Sequence, residues 1–281
     1  MKHILLPTDF SDNAWIAIQY AIHFFKNENT TFHIVHTYRP LLTPDHFLGH
    51  TSQVNYEEAI HRISEENLTE TLEKIQQEFG NTPNHIFQTH SLFNTITDGL
   101  KQVIKNHKVD LVIMGTQGAT GAKEIFLGSN TVHVIKKVKC AVLAIPSNFE
   151  YEKPSKILFP NDLEVDYDNF KLDVLKNIAL SNQSEMHVLH VHTTEISERR
   201  NQTKEQLKQF FEGVPFTFHL HKGTDVLQAI DQFQKELNAD LLTMLRNKHT
   251  FLEKIFFKSN IDQIGYHITK PFLVIPMRDE K

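Results

Sequence analysis

Short runs rich in Ile, Val and Leu alternate along the chain with stretches in which apolar residues return every three or four positions. His3-Ile4-Leu5-Leu6, His33-Ile34-Val35-His36, Val109 to Met114 and Val142 to Ile145 are of the first kind. Ala14, Ile18, Ala21, Ile22 and Phe25 share one helical face, as do Leu68, Leu72, Ile75 and Phe79, and then Ile96, Leu100, Val103 and Ile104. Ser11 predicts an N-cap for the first helix and Gly80 a stop for the second. The same helical period returns with Phe170, Val174 and Ile178, and with Val226, Ile230, Phe233 and Leu237. Strands that are apolar on both faces, alternating with amphipathic helices, predict an α/β fold with a parallel sheet covered by helices on both sides.

The strand runs also repeat in order. His3-Ile4-Leu5-Leu6-Pro7-Thr8-Asp9 returns as Lys156-Ile157-Leu158-Phe159-Pro160-Asn161-Asp162, and His33-Ile34-Val35-His36 as His187-Val188-Leu189-His190. Val109 to Met114 returns as Ala239 to Met244, and Val142 to Pro146 as Phe272 to Pro276. The early matches are offset by 153 or 154 positions and the late ones by 130. The second copy therefore lacks a segment of about two dozen residues between its second and third strands. Two tandem copies are expected, residues 1–146 and 156–281, each a five-stranded parallel-sheet sandwich. The polar stretch 147–155, with Pro154, links them.

In open parallel sheets ligands bind beyond the carboxyl ends of the strands. Two such loops of the first copy stand out: Pro7-Thr8-Asp9-Phe10-Ser11, and the segment from Met114 to Asn130, which holds four of the ten glycines. Glycine lets backbone N–H groups approach a ligand closely. Gly128-Ser129-Asn130 then opens the apolar-periodic stretch Val132 to Ile135, so this loop ends in a helix N-terminus, a site that favours anions such as phosphate. Neither a Walker A loop nor the dinucleotide fingerprint is present.

Gly115, Gly118, Gly128 and Ser129 follow the spacing of glycine, two residues, glycine, nine residues, glycine, then serine or threonine. With the opening Pro-Thr-Asp-Phe-Ser, this pattern resembles the nucleotide-binding members of the universal stress protein family, in tandem two-domain form, over essentially the whole chain. The resemblance implies a Rossmann-like, adenine nucleotide alpha hydrolase-like fold and a stress-response protein. It also implies an adenine nucleotide as ligand, ATP with or without Mg²⁺. Asp9 would accept the ribose hydroxyls, and Pro7 and Thr8 would line the nucleoside pocket. Thr37, following strand two, would place a backbone contact at adenine. Met114 would pack on the base or sugar beside Gly115, and Gly118, Gly128, Ser129 and the N–H of Asn130 would hold the phosphates. Family domains commonly pair through their last strands, which implies an internal pseudo-dimer of the two copies and leaves room for a homodimer of chains.

ATP hydrolysis would further require a residue to orient water and a means of neutralising developing charge. Lys123 and Glu124 lie in the nine-residue spacer but read as a solvated pair, so slow turnover at most is expected and no catalytic residue is assigned. In the second copy Leu245, Lys248 and Lys258 stand where Gly115, Gly118 and Gly128 stood, while Asp162, Ser259 and Asn260 remain. That half is expected to be structural or regulatory. The competing reading is an interaction scaffold that keeps the fold and needs no nucleotide.

Composition narrows the setting. The balance of 29 basic and 34 acidic residues gives −5, which argues against a broad nucleic-acid face. No apolar run approaches a membrane span and the N-terminus lacks a signal-peptide core, so a cytoplasmic location is expected. The lone Cys140 rules out an intrachain disulfide and fits a reducing compartment. Eighteen histidines invite a metal reading, but no ligand motif of the His-Glu-x-x-His kind appears. They are expected to serve as ordinary polar residues.

Overall fold

The computed structural model describes residues 1–39, 50–116, 127–164, 166–192, 198–246 and 269–278. The first copy contains β1 (Lys2–Pro7), α1 (Asp12–Phe24), β2 (Thr30–Tyr38), α2 (His50–Phe79), β3 (His85–Phe93), α3 (Ile96–His107), β4 (Leu111–Gly115), α4 (Ser129–Lys137) and β5 (Ala141–Ile145). The second contains β6 (Lys156–Pro160), α5 (Asp173–Asn182), β7 (Glu185–His192), α6 (Glu198–Phe210), β8 (Phe216–Lys222), α7 (Val226–Leu237), β9 (Leu241–Arg246) and β10 (Phe272–Pro276). The anticipated caps are in place. Ser11 accepts a hydrogen bond from the Ala14 N–H, and Gly80 follows α2 with φ +63°, a backbone state that costs glycine little.

Ten strands form one sheet in the order β3-β2-β1-β4-β5-β10-β9-β6-β7-β8. The order reads the same from either edge, each strand of one copy mirrored by its counterpart in the other. Pairing is parallel within each copy and antiparallel only at the seam, where Ala144, Leu143 and Val142 of β5 face Phe272, Leu273 and Val274 of β10. Leu143 and Leu273 meet at its centre, both fully buried. This is the geometry of a two-fold dimer interface, written into one chain.

One apolar layer packs α1, α2, α5 and α6 on one face and the other packs α3, α4 and α7; each layer draws on strands of both copies. Further ties cross the seam: Arg246 donates to the Ile135 carbonyl, and Lys171 Nζ to the Lys139 carbonyl at 3.1 Å. Nor does the stretch between the copies hang free. Phe149 and Tyr151 lie against Tyr20 of α1, with ring centres 6.1 and 5.2 Å away, and Glu152 pairs with Lys270 at 3.1 Å.

The size difference between the copies lies largely in one element, since α2 has 30 residues and α6 has 13. Phe170 is not part of α5, as its spacing suggested. It follows a short 3₁₀ turn, Tyr167–Asn169, and makes an isolated bridge with Met277.

Candidate functional site

The strand order of the first copy reverses at β1, which lies between β2 and β4, and a cleft opens there beyond the carboxyl ends of the strands. Pro7, Thr8, Asp9, Thr37, Met114, Gly115, Gly128, Ser129 and Asn130 all line it. Of the residues singled out from the sequence, only Gly118 is missing; it lies outside the described residues, as do Lys123 and Glu124. Thr37 falls within β2, which continues to Tyr38, rather than after the strand. Val35, Ile96 and Leu100 add an apolar wall, and Ala14 and Thr131 complete the lining. By their spacing Ile96 and Leu100 are core positions of a helix face. Their helix begins at the cleft, so its first turn serves both purposes.

The turn after β1 is built by its own polar side chains. Thr8 Oγ1 accepts the Phe10 N–H at 2.9 Å, and Asp9 Oδ1 accepts the Ser11 N–H and hydroxyl at 3.2 and 2.6 Å. Phe10 adopts φ +63°. Asp9 thus positions the residue that caps α1, and is itself exposed at the mouth of the cleft. The second copy repeats this turn: Asn161 Oδ1 accepts the Leu163 N–H at 2.8 Å, Asp162 Oδ1 accepts the Glu164 N–H at 3.1 Å, and Leu163 has φ +56°. Burial pushes the Asp162 carboxyl above its usual range. Turn geometry is therefore sufficient to account for the aspartate in both halves.

The two described glycines of the loop after β4 play different parts. A Cβ on Gly115 would collide with the Asn13 side chain and lie 2.9 Å from the Asn13 carbonyl oxygen. Glycine here lets the first turn of α1 sit directly on the end of β4. In the second copy the same place holds Leu245, buried in one apolar cluster with Phe170, Leu172 and Leu175. There the helix starts thirteen residues after the strand-ending proline rather than five. Gly115→Ala is accordingly expected to destabilise the fold by about 1–3 kcal/mol through overpacking, read as a lower denaturation midpoint. An unchanged midpoint would mean that α1 shifts at no cost.

Gly128 is the N-cap of α4 with φ −59° and ψ 154°, and makes no side-chain cap bond. Its own N–H donates to the Thr116 carbonyl at 2.5 Å, while the Thr131 hydroxyl donates to the Gly115 carbonyl at 2.9 Å, tying the first turn of α4 to β4. The helix therefore presents its first-turn amides and positive dipole end to the cleft without a capping side chain. Behind Asp9, the His36 ring lies 4.5 Å from Phe10 and bonds Ser64 Oγ at 2.8 Å; burial lowers its pKa, opposed by Asp9. The second copy's counterparts Lys248, Lys258, Ser259 and Asn260 lie outside the described residues.

A parallel sheet with a cleft at its switch point, walled by apolar side chains on one side and helix-terminal amides on the other, defines a Rossmann-like α/β protein of the adenine nucleotide alpha hydrolase-like kind. The chain belongs to the universal stress protein family, whose family model matches residues 1–146 and again 155–276. Universal stress protein MJ0531 of Methanocaldococcus jannaschii is 28 % identical over 158 residues, covering 55 % of this chain and 84 % of that protein. Universal stress protein MJ0577 of the same organism is 30 % identical over 156 residues, covering 51 % and 94 %. Among solved structures, a universal stress protein from Archaeoglobus fulgidus superposes with a TM-score of 0.68 at 20 % identity, over 99 % of this chain and 97 % of that one. Among the described residues, no helix is long and apolar enough to cross a membrane.

Proposed function

We propose that the first copy binds ATP or a related adenine nucleotide in the cleft at the β1 switch point, and that occupancy modulates the interactions of a stress-response protein with its partners. One observation carries this reading: nine residues chosen from the sequence for nucleotide contacts line a single cleft, and an uncapped helix N-terminus faces it. Asp9 would take the ribose hydroxyls, Met114 and the apolar wall the base and sugar, and the amides of α4 the phosphates. Gly118 belongs to the same proposal through its spacing from Gly115 and Gly128. The division into residues 1–146 and 156–281 assigns the nucleotide to the first half and a structural or regulatory role to the second, which carries Leu245 in place of Gly115.

Mass spectrometry of the purified chain for adenine nucleotide, and thermal denaturation with and without ATP, test the proposal. A retained nucleotide or an ATP-dependent rise in midpoint is expected. A chain that holds no nucleotide and ignores added ATP would instead be a scaffold.

A further inference from the structure

Away from the nucleotide cleft, toward the amino ends of β1 and β2, the first copy gathers histidines that are far apart in sequence. His33 comes from β2, His90 from β3, and His107 is the last residue of α3. One nitrogen of each lies within 4.8 Å of one nitrogen of both others. His33 Nδ1 and His90 Nε2 are 3.0 Å apart, and the three ring-centre separations are 5.2, 4.4 and 5.2 Å. An ion held tetrahedrally at the usual metal–imidazole distance of about 2.0–2.1 Å puts ligand nitrogens roughly 3.4 Å and ring centres about 5 Å apart. The geometry points to a divalent transition-metal site formed by His33, His90 and His107.

The surroundings fit a cation. His33 is fully buried and the other two rings are half-buried. His107 closes α3, whose terminal carbonyls carry partial negative charge. His3 of β1 stands behind His33, its Nδ1 3.0 Å from His33 Nε2. With Nδ1 of His33 turned to the ion, the Nε2–H donates to His3, an outer contact of the kind that fixes the tautomer and orientation of a metal-bound imidazole. Three imidazoles with no thiolate or carboxylate suit Zn²⁺, Cu²⁺, Ni²⁺ or Co²⁺ rather than Mg²⁺ or Ca²⁺, and leave a fourth position for water.

The second copy supplies an internal comparison. His187 and His219 occupy the places of His33 and His90, with Nδ1 and Nε2 3.1 Å apart. However, Leu237 ends the matching helix where His107 ends α3, and Lys156 stands in the place of His3, its Nζ bonded to the Leu237 carbonyl at 3.2 Å. A histidine pair is thus common to both halves. The third ligand belongs to the first half alone, and in the second half His187 Nε2 faces Glu185 Oε2 at 3.5 Å instead of a histidine.

The test uses the full chain stripped with a chelator and titrated with Zn²⁺ against a chromophoric competitor, with Co²⁺ as an optical probe. One tight site per chain is expected, with visible d–d absorption for Co²⁺ and a Zn²⁺-dependent rise in the denaturation midpoint. His107→Leu, which installs the side chain found at Leu237, and His90→Gln should each weaken Zn²⁺ at least tenfold, while His219→Gln should not. His107 sits at a helix end, so His107→Leu keeps the test open if His90→Gln fails to fold, as judged by circular dichroism. Absence of a tight site, or a Zn²⁺ affinity that His107→Leu leaves unchanged, would overturn the assignment and reduce any binding to scattered surface histidines.

Discussion

Replacing Leu273 with alanine is expected to lower the unfolding midpoint reported by Trp15, a residue in the other half of the chain. Leu273 is fully buried at the centre of the seam, opposite Leu143, and its removal leaves a cavity that costs about 2–5 kcal/mol. The damage should not stay in the second copy. β5 would be a bare apolar edge without β10, and the apolar layer on the α1 face runs from Ile4 and Phe32 through Leu143 and Leu273 to Phe159 and Met186. Trp15 is the only tryptophan, so its fluorescence follows the first copy while far-UV circular dichroism follows both. The two signals should move together, since coincident transitions are the mark of one cooperative unit. If the Trp15 transition stays in place while the dichroism splits into two steps, the copies fold independently and the seam is a weak contact.

The seam was expected from the resemblance to a family whose domains pair through their last strands; the uniform apolarity of β5 and β10 permits it, but β4 shares that character. The outer strands were harder to see. β3 and β8 form the sheet's two edges, and their side chains alternate between half-buried and exposed, so they carry no apolar run. α6 has a weak apolar stripe because so much of it is polar, yet Leu207 is fully buried. Phe170 illustrates the opposite error. Its spacing from Val174 and Ile178 is helical, but periodicity cannot distinguish a buried residue in a helix from one bridging to a distant Met277 just before it.

Much of the cleft was legible because most of its residues fall in two segments at the ends of strands, Pro7 to Asp9 and Met114 to Asn130, whereas the wall of Ile96 and Leu100 comes from α3. The histidine cluster was not, because His33, His90 and His107 approach only when β3 pairs with β2 and α3 packs over β1 and β2. Spacing along the chain holds no trace of that. Of the repeated histidines, His187 keeps the kind of partner that His33 has, whereas His190 departs from His36, which bonds Ser64. His187 bonds His219, while His190 bonds the Asn161 carbonyl at 2.8 Å. A repeat in sequence preserves position on a strand more faithfully than it preserves partners.

Glycine spacing by itself did not separate a glycine that the fold requires from one whose backbone conformation other residues share, as the structure does for Gly115 and Gly128. Gly115 has no room for a Cβ, whereas Gly128, with φ −59° and ψ 154°, adopts a backbone conformation that does not require glycine. Gly128→Val should therefore fold with a modestly lower ligand-free midpoint, because valine caps helices poorly, and lose at least half of the response to ATP. A ligand at about a hundred times its Kd stabilises the folded state by about 2.7 kcal/mol. A side chain at the amides of α4 should weaken the nucleotide at least tenfold, taking away about 1.4 kcal/mol or more of that gain. Asp9→Ala is a less clean probe, because Asp9 also holds Ser11 and through it the start of α1. Asp162→Ala, at the matching turn of the second copy, serves as the control and should leave the ATP response intact. If Gly128→Val folds and still shows the full ATP shift, the phosphates do not lie at the α4 N-terminus, and the nucleotide assignment fails at its most specific point.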